Sequence, residues 1–289
     1  NPRKCRKAFP RPFCLLHRKP PNSGFERKID MKNFTLKALA ASALVLSSWL
    51  VPAHSAGEAK HPAVMDWSFN GPFGTFDRDG LRRGFQVYKE VCASCHGLSQ
   101  VSFRNLSQEG GPEFSEAEVK AIAAEYSVED GPDDYGDMFE RPALPKDRFI
   151  EPYPNEKAGR ASNGGAYPPD LSLITKARSG GADYLHALLT GYRDAPEGVE
   201  LRAGLYYNPY MAGGKIAMPS PLMEDIVEYS DGTPATIEQM SSDVTQFLSW
   251  AAEPTMEERK RSGVMVMIYL TIFAGLLYFS MRRIWADQH

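Results

Sequence analysis

The sequence is short of cysteine. Four are present among 289 residues: Cys5, Cys14, Cys92 and Cys95. The first two precede a stretch that reads as an export signal, so the exported body keeps a single pair. One pair excludes a disulfide-stapled scaffold and a four-cysteine zinc site. Histidine is scarce too, at six. Positive charge is missing from the body: residues 57–289 hold twenty-two Lys/Arg against thirty-four Asp/Glu, a net −12. So acidic a body disfavours nucleic acid and favours a basic partner.

The missing bases are at the other end. Residues 1–56 hold eleven Lys/Arg and two acids, a net +9. Within them, a basic stretch from Met31 to Lys37 precedes the apolar run Ala38–Val51 and the small-residue patch "PAHSAG". That is the layout of a signal peptide over 31–56, with cleavage expected in 53–57. Residues 1–30 are basic, rich in Pro and do not begin with Met. They read as translation upstream of a start at Met31 or as a mitochondrial targeting arm, absent from the mature protein either way.

A second apolar run, Gly263–Met281, carries no charge. As a helix it spans roughly 28 Å, enough to cross a bilayer core. Arg259, Lys260 and Arg261 precede it, Arg282 and Arg283 follow it, and Tyr278 and Trp285 suit an interface. The expected division is therefore a domain over 57–258 and an anchor with a short tail over 259–289. The export signal places the domain outside and the C-terminus inside. A bacterial inner membrane with a periplasmic domain is the expectation. The alternative is the mitochondrial inner membrane, facing the intermembrane space.

The remaining cysteines stand in "CASCH", Cys92–His96. A redox dithiol wants a βαβ pattern around C-x-x-C, and none is present. A zinc site wants about four ligands. The third chemistry is c-type haem attachment: both thiols add across haem vinyl groups and His96 ligates the iron. Two sulfurs three residues apart reach one porphyrin edge while the following imidazole turns beneath the ring.

"DGLRRGFQVYKEVCASCHG", from Asp79, places Leu81, Phe85, Tyr88 and Val91 at helical spacing, with Asp79 as the expected N-cap. Gly84 would admit a second helix closely. The candidate is "SSDVTQFLSWAAEP", with Val244, Phe247, Leu248 and Ala251 on one stripe and Pro254 as the stop. For the other axial ligand, His61 lies near the mature terminus and His186 sits on a helix as a core or surface residue. Methionine is the better class. Met218 stands out in "GGKIAMPSPL", a loop stiffened by Gly and Pro, with Met211 and Met223 next.

The sequence resembles the cytochrome c1 family of the ubiquinol–cytochrome c oxidoreductase (bc1) complex over nearly all of residues 63–286. The carriers are "GPFGTFDRDGLRRGFQVYKEVCASCHG", "YPPDLSLI", "KARSGGADYLHALLTGY", "LYYNPYMAGGKIAMPSPL" and "DGTPATIEQMSSDVTQFLSWAAEPTMEERKRSG". The resemblance implies a mainly α, class I cytochrome c-like haem domain with long loops and one C-terminal transmembrane helix. It implies one haem c attached through Cys92 and Cys95, with His96 and Met218 as axial ligands. Arg178 and Tyr184 match positions that contact a haem propionate. Pro168 and Pro169 match a stretch lining the haem pocket. Some bacterial relatives carry an extra cysteine pair, so the long loops here are expected to rely on packing alone.

The implied role is outer-sphere electron transfer, from the Rieske iron–sulfur protein to a soluble basic c-type cytochrome, in a dimeric complex with cytochrome b. His/Met ligation raises the potential and fills the sixth position, which argues against oxygen or peroxide chemistry. The rival readings are a membrane-anchored shuttle or subunit of another oxidase, and a haem enzyme or sensor.

Overall fold

The computed structural model describes residues 59–286. The expected upstream segment, the signal peptide, Cys5 and Cys14 lie outside the described residues. The helices are α1 (Arg78–Val87), α2 (Glu116–Ala124), α3 (Glu156–Ser162), α4 (Ile174–Ala177), α5 (Gly181–Thr190), α6 (Ile237–Ala252) and α7 (Met256–Ala286). Strands are few. β1 (Ser127–Asp130) and β2 (Phe139–Pro142) form an antiparallel hairpin, with Ser127 opposite Pro142 and Asp130 opposite Phe139. β3 (Tyr206–Tyr207) and β4 (Lys215–Ile216) form a second, minimal one. The architecture is the expected one, mainly helical with long connections and one long apolar C-terminal helix.

The crossing of α1 and α6 is the centre of the domain. Leu81 and Phe85 of α1 and Tyr88 just past it are buried, as are Met240, Val244, Phe247, Leu248 and Ala251 from α6. The 3.6-residue period puts each set on one face. Gly84 lies at the closest point. A Cβ there would stand 2.1 Å from the Asp243 carbonyl oxygen and 2.7 Å from the Phe247 Cβ. Only glycine permits this approach. Asp243 is buried at the crossing, but Arg83 meets both its carboxylate oxygens, at 3.0 and 3.2 Å, and Gln239 Nε2 donates to it as well. A buried charge so paired is tolerated.

The helix ends show one correction. The N-cap of α1 is Asp77, not Asp79: the Asp77 carboxylate accepts from the Asp79 N–H at 3.2 Å. Asp79 falls in the first turn, where an acidic residue suits the helix dipole. α6 starts at a Thr236 cap and stops at Ala252. Glu253, ahead of Pro254, leaves the helical region (φ −150, ψ 70), as a residue preceding proline tends to.

The long loops are not fixed by packing alone. Arg141 joins Asp130 and Asp147 across the β1–β2 hairpin, and Lys89 on the turn after α1 reaches Glu125 at 2.6 Å. The acidic stretch Glu109–Glu140 contains α2, β1 and the start of β2.

α7 has 31 residues and a mean hydropathy of 2.1 in its most apolar window, none of it buried. At a rise of about 1.5 Å per residue it is about 46 Å long, well beyond a bilayer core. The surplus at its start is docked on the domain. Met256 is buried, and Arg78 holds Glu257 by a fork, Nη1–Oε1 and Nη2–Oε2, both 2.8 Å.

Candidate haem site

α1 does not end in an ordinary turn. Its last residues widen into one π turn over Tyr88–Cys92, closed by Ala93 N–H donating to the Tyr88 carbonyl at 2.8 Å. Such wide turns recur at functional sites. The chain then tightens: the N–H groups of Cys95 and His96 both donate to the Cys92 carbonyl, at 3.1 and 2.9 Å. The two thiols are unpaired. Burial, with Cys95 adding to it, pushes the Cys92 thiol up to about 12. A neutral thiol in apolar surroundings suits addition to an apolar vinyl group better than metal binding, which needs thiolate. Among the described residues, no three His, Cys, Asp or Glu side chains converge in a way that could hold a metal ion.

His96 is aimed by a residue distant in sequence. Its Nδ1 lies 2.7 Å from the Pro169 carbonyl oxygen. A carbonyl can only accept, so Nδ1 carries the proton and Nε2 keeps its lone pair. Burial pushes the imidazole below its ordinary value, with the Pro169 bond and Asp170 opposing. A neutral imidazole with a free Nε2 is what an iron ligand requires.

The Pro168–Asp170 strap is itself pinned. Leu171 N–H donates to the Gly97 carbonyl at 2.9 Å, and Asp170 accepts from the Ser99 and Ser172 N–H groups, each at 2.8 Å. Burial raises the Asp170 carboxyl, but the hydrogen bonds from Ser172 and Ser99 outweigh it and hold it below its usual value. Tyr88 adds a longer bond to the His96 carbonyl at 3.3 Å.

Met218 lies in the loop after β4, half-buried, and packs against the same apolar core as Cys92. Tyr192, just past α5, donates its hydroxyl to the Met218 carbonyl at 3.1 Å. The loop is anchored again by Asn208, which is fully buried. Its Nδ2 donates to the Leu188 carbonyl of α5 at 2.8 Å, and its Oδ1 accepts from the Tyr210 N–H at 3.1 Å. Of the alternative methionines, Met223 is 62% exposed. Met211 is half-buried, its sulfur 3.9 Å from the Tyr184 hydroxyl. His61 is exposed. His186 is buried on α5 beside Glu238, at 3.5 Å.

Arg178 follows α4 and is exposed, while Tyr184 lies half-buried on α5. Burial pushes the Tyr184 phenol up and the Arg178 charge pulls it down, so the two sit within electrostatic reach. A cleft of about 420 Å³ opens beside the Met218 loop, lined by Tyr192, Arg193, Tyr206, Tyr207 and Ser220 among others. Cys92, Cys95, His96 and Pro169 thus form one cluster, while Met218 sits with Tyr192 and Tyr184 with Met211. The donor set fits a c-type haem: two unpaired thiols, a tautomer-locked imidazole and a thioether on a loop flanked by glycines and prolines. Tyr192 and Asn208 were not singled out from sequence, and Tyr88 was read only as part of the apolar stripe. Their roles are long-range hydrogen bonds, which leave no trace in periodicity.

A membrane-anchored, mainly helical domain carrying the c-type haem signature defines a class, the anchored c-type cytochromes. Within it, the chain belongs to the Cytochrome C1 family, which matches residues 67–288. It is 56% identical over 221 residues to cytochrome c1-2, heme protein, mitochondrial, of Solanum tuberosum, covering 75% of this chain and 84% of that protein. It is 43% identical over 274 residues to cytochrome c1 of Rhodospirillum rubrum, covering 89% and 99%. It is 53% identical over 270 residues to "Cytochrome b/c1" of Bradyrhizobium diazoefficiens, covering 87% of this chain but only 39% of that longer protein.

Proposed function

We propose that this chain is the haem electron-transfer subunit of a bc1 complex, taking one electron from the Rieske iron–sulfur protein and passing it to a soluble basic c-type cytochrome. Cys92 and Cys95 would hold a single haem c through thioethers, and His96 Nε2 and Met218 Sδ would be its axial ligands. The haem supplies the one-electron couple. The chain's own residues supply the rest. His96 is kept in one tautomer by Pro169. Met218 is held by its loop, and its thioether favours the reduced state and raises the potential. Arg178 and Tyr184 would face the propionates, where a guanidinium and a phenol can offset carboxylate charge.

The observation that carries this reading is the 2.7 Å contact of His96 Nδ1 with the Pro169 carbonyl. It leaves Nε2 available directly after both thiols, as ligation requires. The name of the Bradyrhizobium relative joins cytochrome b to c1, which supports cytochrome b as a partner in the membrane. The apolar part of α7 supports a single-pass anchor. The haem domain would face the periplasm, or the intermembrane space if the membrane is mitochondrial. The ligand assignment is tested by Met218→Leu in the assembled complex. Covalent haem should remain, the midpoint potential should fall steeply, and quinol-driven reduction of soluble cytochrome should cease. An unchanged potential would give the sixth position to another residue.

A further inference from the structure

The start of α7 is part of the domain, and this fixes what else lies at the membrane. Glu257 accepts from the Phe76 N–H at 2.8 Å as well as from Arg78. Lys260 Nζ donates to the carbonyls of Phe69 and Gly74, at 2.7 and 3.0 Å. The turn Asn70–Gly74 is therefore strapped to α7 at Lys260. That residue stands three positions, or about 4.5 Å of helix, before the apolar run begins at Gly263.

The turn is stiff. Asn70 N–H donates to the Trp67 carbonyl at 2.9 Å and Thr75 N–H to the Ser68 carbonyl at 3.1 Å. A Cβ on Gly74 would meet the Asn70 carbonyl oxygen at 2.0 Å, so this fold of the turn needs glycine. Phe69 behind it stacks between Trp67 and Phe76, with ring centroids at 5.5 and 5.0 Å. Yet Phe73, at the tip, is 79% exposed. A single exposed aromatic is unremarkable on a soluble surface. This one is presented by a rigid turn beside the first turn of a membrane anchor, next to Arg259, Lys260 and Arg261. Aromatic side chains favour the headgroup level of a bilayer, and bases there attract anionic headgroups.

We propose that the Asn70–Gly74 turn is a second membrane contact, with Phe73 seated among phospholipid headgroups beside the anchor. Two fixed contacts, the helix and the turn, would set the tilt of the haem domain over the membrane. The proposal rests on residues 263–281 spanning the bilayer. A photoreactive benzoylphenylalanine placed at position 73, in the full chain in native membranes, tests it. The same probe at Ile268 in the span and at Tyr135 in the turn of the β1–β2 hairpin, 92% exposed, brackets the result. Position 73 should yield phospholipid adducts in proportions like Ile268, and Tyr135 should yield none. Adducts at Ile268 but not at 73 would overturn the proposal alone. A protein adduct at 73 would also overturn it, making the turn a subunit contact. Absence of lipid at Ile268 would remove the anchor reading and the proposal together.

Discussion

His96 and Met218, the two proposed axial ligands, are held by different kinds of structure. His96 follows the helix that makes the central crossing. Its backbone closes on Cys92, its ring is tied to Pro169, and the Pro169 strap is tied back to Gly97 and Ser99. Met218 stands on a loop between a two-residue strand and two prolines, held by Tyr192 and, further off, by Asn208. The His side is continuous with the core, so disturbing it should unfold the domain. The Met side meets the core through Met218, Leu222 and a few hydrogen bonds, with no long helix or strand of its own, so it can be loosened while the domain stays folded. A redox site gains from this arrangement. On the proposed ligation, the attachment side would set where the haem is, and the loop side would tune its potential without risking the fold.

The largest expected effect breaks the His side. Gly84→Val would drive a side chain into the Asp243 carbonyl, against backbone that cannot move without parting α1 from α6. Overpacking of this kind costs about 3 kcal/mol or more. The c-type haem band in membranes should be lost, since a chain that cannot close its central crossing is cleared by proteolysis. Normal amounts of haem-stained protein with an unchanged thermal midpoint would mean that the crossing is looser than it looks.

A smaller effect should come from Asn208→Ala. The Leu188 carbonyl and the Tyr210 N–H would each lose a buried partner, at about 1–3 kcal/mol per group. The loss falls on the Met side. Covalent haem and helix content should persist, while the midpoint potential drops and the ferrous protein begins to bind carbon monoxide. Asn208→Asp keeps the acceptor for Tyr210 but sets a carboxylate against the Leu188 carbonyl in a buried site, so it should lower the potential at least as far as alanine does. Melting of the whole domain without carbon monoxide binding would erase the distinction between the two sides.

The same contrast explains what the sequence made legible. The α1–α6 crossing could be anticipated because two apolar stripes and Gly84 sit within short, regular segments. The Cys92–His96 motif was legible because its spacing is the chemistry. The N-cap was misplaced by two residues because Asp77 and Asp79 carry the same signal, and only the turn entering the helix chooses between them. The lock on His96 was not legible, since it comes from a carbonyl 73 positions away. The anchoring of Met218 by Tyr192 and Asn208 was hidden for the same reason. The β1–β2 hairpin was not legible either, because Glu and Asp mask the short pairing of Ser127–Asp130 with Phe139–Pro142.

The smallest expected effect touches neither side and concerns only encounter with the acceptor. Residues 57–256 hold seventeen bases and thirty-one acids, a net −14, before haem propionates are added. Such a field accelerates approach of a basic carrier and fades beyond a Debye length of about 8–10 Å at physiological salt. The second-order rate of electron transfer to a basic cytochrome should therefore fall steeply as ionic strength rises, with stability unchanged. Not every acid in the run contributes equally. Glu125 is neutralised by Lys89, and Asp130 by Arg141. Asp133 is exposed, but its carboxylate is held in the turn by the N–H groups of Tyr135 and Asp137. Glu129, Asp134 and Asp137 are exposed on the hairpin and carry the outward charge. Replacing these three by Gln, Asn and Asn should flatten the salt dependence if the hairpin is the docking face, and leave the midpoint potential as it was. Stopped-flow rates across a salt series decide both parts. A rate indifferent to salt would remove electrostatic steering altogether. A steep dependence that survives the triple substitution would move the docking face to another part of the acidic surface.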